Sequence, residues 1–204
     1  MSEALTVVFA LFPGITQLDF TAPAQALSRM PGARLAAAAA KRGPIETDSG
    51  FAILPTHDFV DAPQADILCV PGGHGVAEAI TDPATIDFIA RQAARARWVT
   101  SVCTGAFLLG RAGLLRGKHA TTHWAYTHLL PLVGAVPTPG RIVEDANLVT
   151  AGGVTSGLDF ALTLIARLRG DAAAQRSSSR SNMTPPRPSP AATPIALPRR
   201  LPAD

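Results

Sequence analysis

The sequence predicts an α/β sandwich with a mainly parallel central sheet. Three short apolar runs, residues 5–11 (LTVVFAL), 66–70 (DILCV) and 98–102 (WVTSV), are nearly continuous rather than alternating. That is the pattern of strands buried on both faces. Segments with helical spacing, 22–30, 83–96, 104–113 and 154–169, alternate with them, which is the signature of βα units. At 204 residues, with 47% hydrophobic and 16% charged residues, the chain can bury a full core as a single domain.

Taken in order, the first strand (5–11) stops at Pro13-Gly14. Residues 33–40 and 52–55 are weaker strand candidates, since Ala36–Ala40 favours a helix on propensity alone. The second buried strand runs into Pro71-Gly72-Gly73. Thr81-Asp82-Pro83 opens the 83–96 helix with proline in its first turn, and Ile86, Ile89 and Ala90 follow at i, i+3, i+4. The third buried strand ends at Cys103. Residues 142–143 and 148–149, on either side of Glu144-Asp145-Ala146-Asn147, predict a β-hairpin.

Charge and composition divide the chain near residue 170. Residues 171–204 hold seven prolines, a Ser177-Ser178-Ser179 run and no aromatic residue. They are expected to be a disordered tail. Five of its residues are arginine and two are aspartate, so the tail accounts for the whole net charge of +3; residues 1–170 balance 13 basic against 13 acidic side chains. The basic excess is therefore no surface for nucleic acid or membrane. The N-terminus has neither signal-peptide flanks nor a membrane-length apolar run, and the expected compartment is the cytoplasm. Cys69 and Cys103 form no disulfide framework and no zinc-type spacing, and no metal-ligand cluster is present in the sequence.

In a parallel sheet the loops after the three buried strands share one edge, where ligands bind. Cys103 sits between a strand and a helix with Gly105 following, a nucleophile-elbow context without the GxSxG pattern. A helix N-terminus there would lower the thiol pKa; the competing reading is a buried, inert cysteine, which is the expectation for Cys69. Asp19, flanked by Leu18 and Phe20, is either a carboxylate of raised pKa able to exchange protons near neutrality or the N-cap of the next helix. Gly72-Gly73 either supplies backbone N–H donors to an oxyanion or is a tight turn, and Gly152-Gly153 reads the same way. His123 would make a Cys–His pair if it reached Cys103. The other histidines, His57, His74, His119 and His128, are expected at the surface or in caps.

Several stretches together resemble the ThiJ/PfpI superfamily, and within it the bacterial isocyanide hydratases: Leu11-Phe12-Pro13, Gln17-Leu18-Asp19-Phe20, Val70-Pro71-Gly72-Gly73, Thr100-Ser101-Val102-Cys103-Thr104-Gly105 and Ala120-Thr121-Thr122-His123-Trp124. The resemblance covers roughly residues 4–168. It implies a flavodoxin-like three-layer sandwich, a homodimer and no cofactor. It also implies that Cys103 is the nucleophile in a strained conformation, with Asp19 as the acid beside it and Thr104 following as in the hydratases. Gly72, Gly73, Gly152 and Val154 would line the pocket. The implied reaction adds water to an isocyanide through a cysteine thioimidate to give an N-substituted formamide. PfpI-type proteases carry histidine where Thr104 stands, so a protease loses its base here. The amidase-like domain of AraC-type regulators shares the Cys103–Trp124 stretch, which leaves a non-catalytic small-molecule sensor as one alternative; a cysteine redox or glyoxalase-like protein is another.

The resemblance ends near Gly170. Codons chosen for residues 181–189 (SNMTPPRPS) and read from the third base give Glu-Tyr-Asp-Pro-Ala-Pro-Pro-Phe, close to the C-terminal stretch of hydratase relatives. The tail is thus expected to be that stretch in a shifted frame.

Overall fold

The computed structural model describes residues 3–180. In chain order it contains β1 (Leu5–Ala10), α1 (Gln17–Leu27), β2 (Ala33–Ala39), β3 (Ile45–Glu46), β4 (Ala52–Ile53), β5 (His57–Asp58) and β6 (Ile67–Val70). There follow α2 (Val76–Ala79), α3 (Pro83–Ala93), β7 (Trp98–Val102), α4 (Gly105–Arg111), β8 (His119–Ala120), a 3-10 helix (Trp124–Val133) and β9 (Val136–Pro137). β10 (Ile142–Asp145), β11 (Leu148–Ala151), α5 (Ser156–Arg169) and α6 (Asp171–Arg180) complete it.

Seven strands form the central sheet in the order β10-β11-β7-β6-β1-β2-β5. Every pairing is parallel except the β10–β11 hairpin. The three apolar runs are its middle, and β6 and β11 are buried along their whole length. One group of helices, α1, α5 and α6, packs together, as do α2, α3 and α4. The α/β sandwich expected from the sequence is thus the fold found.

The strand order places the site. From β1 the chain passes outward to β2, whereas from β6 it passes the other way to β7. The loops leaving β1 and β6 therefore diverge and open a crevice between them at the carboxyl edge. Those loops interlock: Thr16 N–H donates to Gly72 O (2.9 Å) and Gly75 N–H to Gly14 O (3.0 Å). A Cβ on Gly75 would stand 1.8 Å from the Pro13 carbonyl oxygen, so only glycine allows this approach.

Two sequence expectations are corrected here. The first helix, expected over 22–30, starts at Gln17, and Pro23 lies inside it. The proline removes only the bond to the Asp19 carbonyl four residues back, which one point of the helix can absorb. Asp19 consequently sits in the first turn of α1 rather than at its N-cap, which is Thr16. Second, residues 171–180, expected to begin a disordered tail, form α6 against α5. Asp171 followed by three alanines is a strong helix start, and the Ser177 hydroxyl donates to Ala26 O at 3.2 Å. The rest of the expected tail, with its shifted-frame reading of 181–189, lies outside the described residues. Among the described residues no helix is long and apolar enough to cross a membrane.

Candidate active site

Cys103 is the residue at which β7 becomes α4. Its N–H donates to Ala151 O at 2.9 Å and its carbonyl accepts from the Thr122 hydroxyl at 2.7 Å. Held from both ends, it takes φ 55°, one of two non-glycine residues with positive φ among the described residues. A side chain there costs about 1–2 kcal/mol, which the surrounding bonds must offset. At this turn Cys103 reaches the wall of a cavity. Gly105 lets α4 start hard against β6; a Cβ there would meet Val70 O at 2.3 Å.

Asp19 enters from α1. It is 1% exposed. Its Oδ2 accepts the Gly72 N–H at 3.0 Å, while Oδ1 has no hydrogen bond of normal geometry. Burial pushes the carboxyl up to about 7 from 3.8; the Gly72 N–H and the Cys103 thiol pull it down, and the Asp48 charge pushes it up. The N-cap reading of Asp19 does not hold, since the cap position is Thr16. Asp48 is bound by the Thr16 hydroxyl at the start of α1.

The thiol behaves otherwise than the helix N-terminus predicted. Burial and then the Asp19 charge push Cys103 up to about 12, although the Thr104 N–H and hydroxyl both work to lower it. The short α4 cannot outweigh desolvation beside a carboxylate. Between about 7 and about 12 the pair therefore holds one proton, on the sulfur, with the carboxylate beside it. Cys69, buried within β6, is likewise pushed up to about 12 by burial, in keeping with an inert core thiol.

The two glycines do not form an oxyanion hole. Gly72 N–H is taken by Asp19, and Gly73 N–H by the Thr104 hydroxyl at 3.0 Å. Their role is spatial. A Cβ on Gly72 would lie 2.6 Å from Thr104 N and 2.9 Å from Cys103 Cβ. Gly72→Ala should therefore displace the elbow and lower turnover more than tenfold while the protein stays folded, measured by steady-state kinetics beside circular dichroism.

Above the pair lies a cavity of about 630 Å³. Cys103, Thr104, Gly73 and Val154 line it, as the sequence led one to expect. Gly72, expected to line it, does not; its N–H is taken by Asp19, which does not line it either. Gly152 does not line it; its N–H is spent on Arg141 O at 2.9 Å. His123 and His74 do line it. His123 also caps the 3-10 helix, accepting the Ala125 N–H at Nδ1 (3.3 Å). The sequence did not reveal the remaining walls: Thr16, Val76, Ala77 and Ile80 on one side, and Phe107, Tyr126, Leu129, Leu132 and Val133 on the other. Most of the second group stands on a 3-10 helix, which has no amphipathic period to read. Among the described residues no cluster of metal-binding side chains occurs.

Comparison with known proteins gives three kinds of match. The family model described as the DJ-1/PfpI family covers residues 5–167. The isonitrile hydratase of Pseudomonas putida is 50% identical over 172 residues, 84% of this chain and 75% of that protein. The transcriptional regulator GbdR of Pseudomonas aeruginosa is 34% identical over 125 residues, 59% of this chain but 33% of that protein. Among solved structures, a ThiJ/PfpI family protein from Pseudomonas syringae superposes with a TM-score of 0.88 at 37% identity, covering 94% of this chain and 80% of that one.

Proposed function

The chain belongs to the DJ-1/PfpI family, and from that premise we propose that it is an isocyanide hydratase, converting R–N≡C and water to R–NH–CHO. One observation carries the reading: the strained Cys103 sits against a buried carboxyl with a free oxygen, at the floor of a cavity with no charged wall, in a chain half identical to a hydratase.

The chemistry follows from a thiol proton with a carboxylate base beside it. Asp19 takes the thiol proton as sulfur bonds to the terminal carbon of the isocyanide. The carbon's lone pair then receives that proton from Asp19, leaving R–N=CH–S–Cys. Asp19, again a carboxylate, removes a proton from water while the oxygen adds to the same carbon, and returns it to nitrogen. The tetrahedral carbon collapses: the C–S bond breaks, the hydroxyl proton passes by way of Asp19 to the departing sulfur, and the formamide leaves. One carboxylate serves as base and acid in turn, and no metal or organic cofactor has a step. Thr104 holds its hydroxyl between Gly73 N and O and lends its N–H to the sulfur. Incubation with cyclohexyl isocyanide and detection of the N-formyl product tests the proposal. A folded protein that yields no formamide would turn the reading toward ligand sensing.

The active form is the singly protonated pair, which fixes the pH dependence. Below about 7 Asp19 carries a proton while the thiol keeps its own, so no base is present; above about 12 the proton is lost. Expected is a kcat/KM that climbs tenfold per pH unit on the acid side and levels off above about 7. A profile falling between pH 6 and 9 would contradict the assignment of roles.

The same reading makes the protein a cytoplasmic homodimer. Leu18 on α1, Phe51 in the β3–β4 turn and Leu54 after it are exposed large apolar side chains, on segments that the Thr16–Asp48 bond ties together. They offer apolar surface for the pairing.

A further inference from the structure

The walls of the cavity say which isocyanides fit. We infer that the substrate carries a large, uncharged, apolar R group that runs from Cys103 out to the cavity mouth. This rests on the hydratase reading and deepens it. Three observations support it.

The first is volume. About 630 Å³ is the size of a site for a drug-sized ligand, several times what a methyl or tert-butyl group fills. The second is chemistry. No Asp, Glu, Lys or Arg is among the residues that line the cavity, and Ile80, Phe107, Leu129 and Val133 dominate its walls. A carboxylate or ammonium on R would be desolvated with no counter-charge. The polar residues lie at the sulfur end or, as His74, His123 and Tyr126, along the wall. His123 Nδ1 faces the Ala125 N–H at 3.3 Å, turned to its own helix.

The third observation is the mouth. Leu132 lines the cavity yet is 81% exposed, and Tyr126 is 44% exposed. An apolar rim continuous with an apolar interior is the surface that a long R group would cover, and a small one would leave wet. Leu132 stands on the 3-10 helix, whose close is fixed by Gly134 at φ 79°, so the rim is a built edge of the site. Leu132 and Tyr126 are thereby assigned as specificity-determining residues for the outer part of R.

The test is a matched series on the full chain: tert-butyl, cyclohexyl and 2-naphthyl isocyanide, with isocyanoacetate and its ethyl ester as a charged and uncharged pair. The expected kcat/KM rises with apolar size by at least about tenfold from tert-butyl to 2-naphthyl, since each buried CH₂ contributes roughly a fourfold gain. The ester should exceed the carboxylate at least about a hundredfold. In Leu132→Asp, which changes an exposed side chain, the naphthyl to tert-butyl ratio should fall about tenfold. A flat series, or a carboxylate as good as its ester, with hydration otherwise intact, overturns this inference alone. Absence of hydration across the series overturns it together with the hydratase reading.

Discussion

Replacing Cys103 with alanine is expected to lower formamide production by at least about a thousandfold, the order of loss seen when a covalent nucleophile is removed. In the scheme above no other group bonds to the isocyanide carbon, so Cys103→Ser should fare little better: a hydroxyl at the same place is a far weaker nucleophile and leaving group. The backbone supplies a control that separates chemistry from folding. At φ 55° alanine suffers the same steric conflict as cysteine, whereas glycine does not. Cys103→Gly should be equally inactive yet more stable than Cys103→Ala by about 1 kcal/mol. Gas chromatography of the formamide and urea denaturation of the pair of variants measure both effects. A fully active Cys103→Ala protein would end the covalent scheme.

The second large effect concerns Asp19, and its sign in stability is opposite to its sign in activity. Asp19→Asn should abolish turnover, because an amide can neither take the thiol proton nor return it. The same change should stabilise the fold. In the unfolded chain the carboxyl ionises from about 3.8, whereas in the folded protein it does so only near 7. The native state therefore binds more protons between those values, and stability falls as pH rises through that window. Above about 7 the deficit is complete, about 4 kcal/mol; below about 3.8 both states are protonated and nothing is lost. An asparagine keeps the oxygen that accepts the Gly72 N–H and removes the charge. Thermal unfolding of the two proteins should show the variant ahead by several degrees at pH 8 and level with the wild type at pH 4. A variant less stable at pH 8 would mean that the carboxylate is better solvated than its burial implies.

These effects also show what a sequence discloses. The buried strands were readable because continuous apolar runs report burial on both faces, and parallel topology then carries their loops to one edge. That edge is where Cys103, Thr104, Gly73 and Asp19 meet. The resemblance named Asp19 as the proton carrier, but the residues alone left it open between that and a cap. The start of α1 removes the cap: with Gln17 as the first helical residue, the Asp19 carboxyl accepts from Gly72 instead of from its own helix. The thiol pKa was misread because a helix N-terminus is a local feature, whereas desolvation and the carboxylate come from other parts of the chain. The Gly72 and Gly73 N–H groups looked available for a similar reason, since their acceptors lie 53 and 31 residues away. In α6, prolines beyond residue 184 obscure an alanine-rich start that is held as a helix by packing on α5.

The spent N–H groups at residues 72 and 73 have a consequence for what the protein refuses. Attack of sulfur on an ester or amide drives a negative charge onto the carbonyl oxygen, and each aligned donor for that oxygen is worth about a hundredfold or more in rate. Around Cys103 three backbone donors are already committed, Gly72 to Asp19, Gly73 to Thr104 and Cys103 itself to Ala151, which leaves the Thr104 N–H beside the sulfur. An isocyanide has no oxygen to charge; its developing electron pair sits on carbon and is quenched by a proton. On the proposed hydratase reading, esters and amides are therefore expected to be poor substrates at Cys103, with at most the Thr104 N–H to receive the oxyanion.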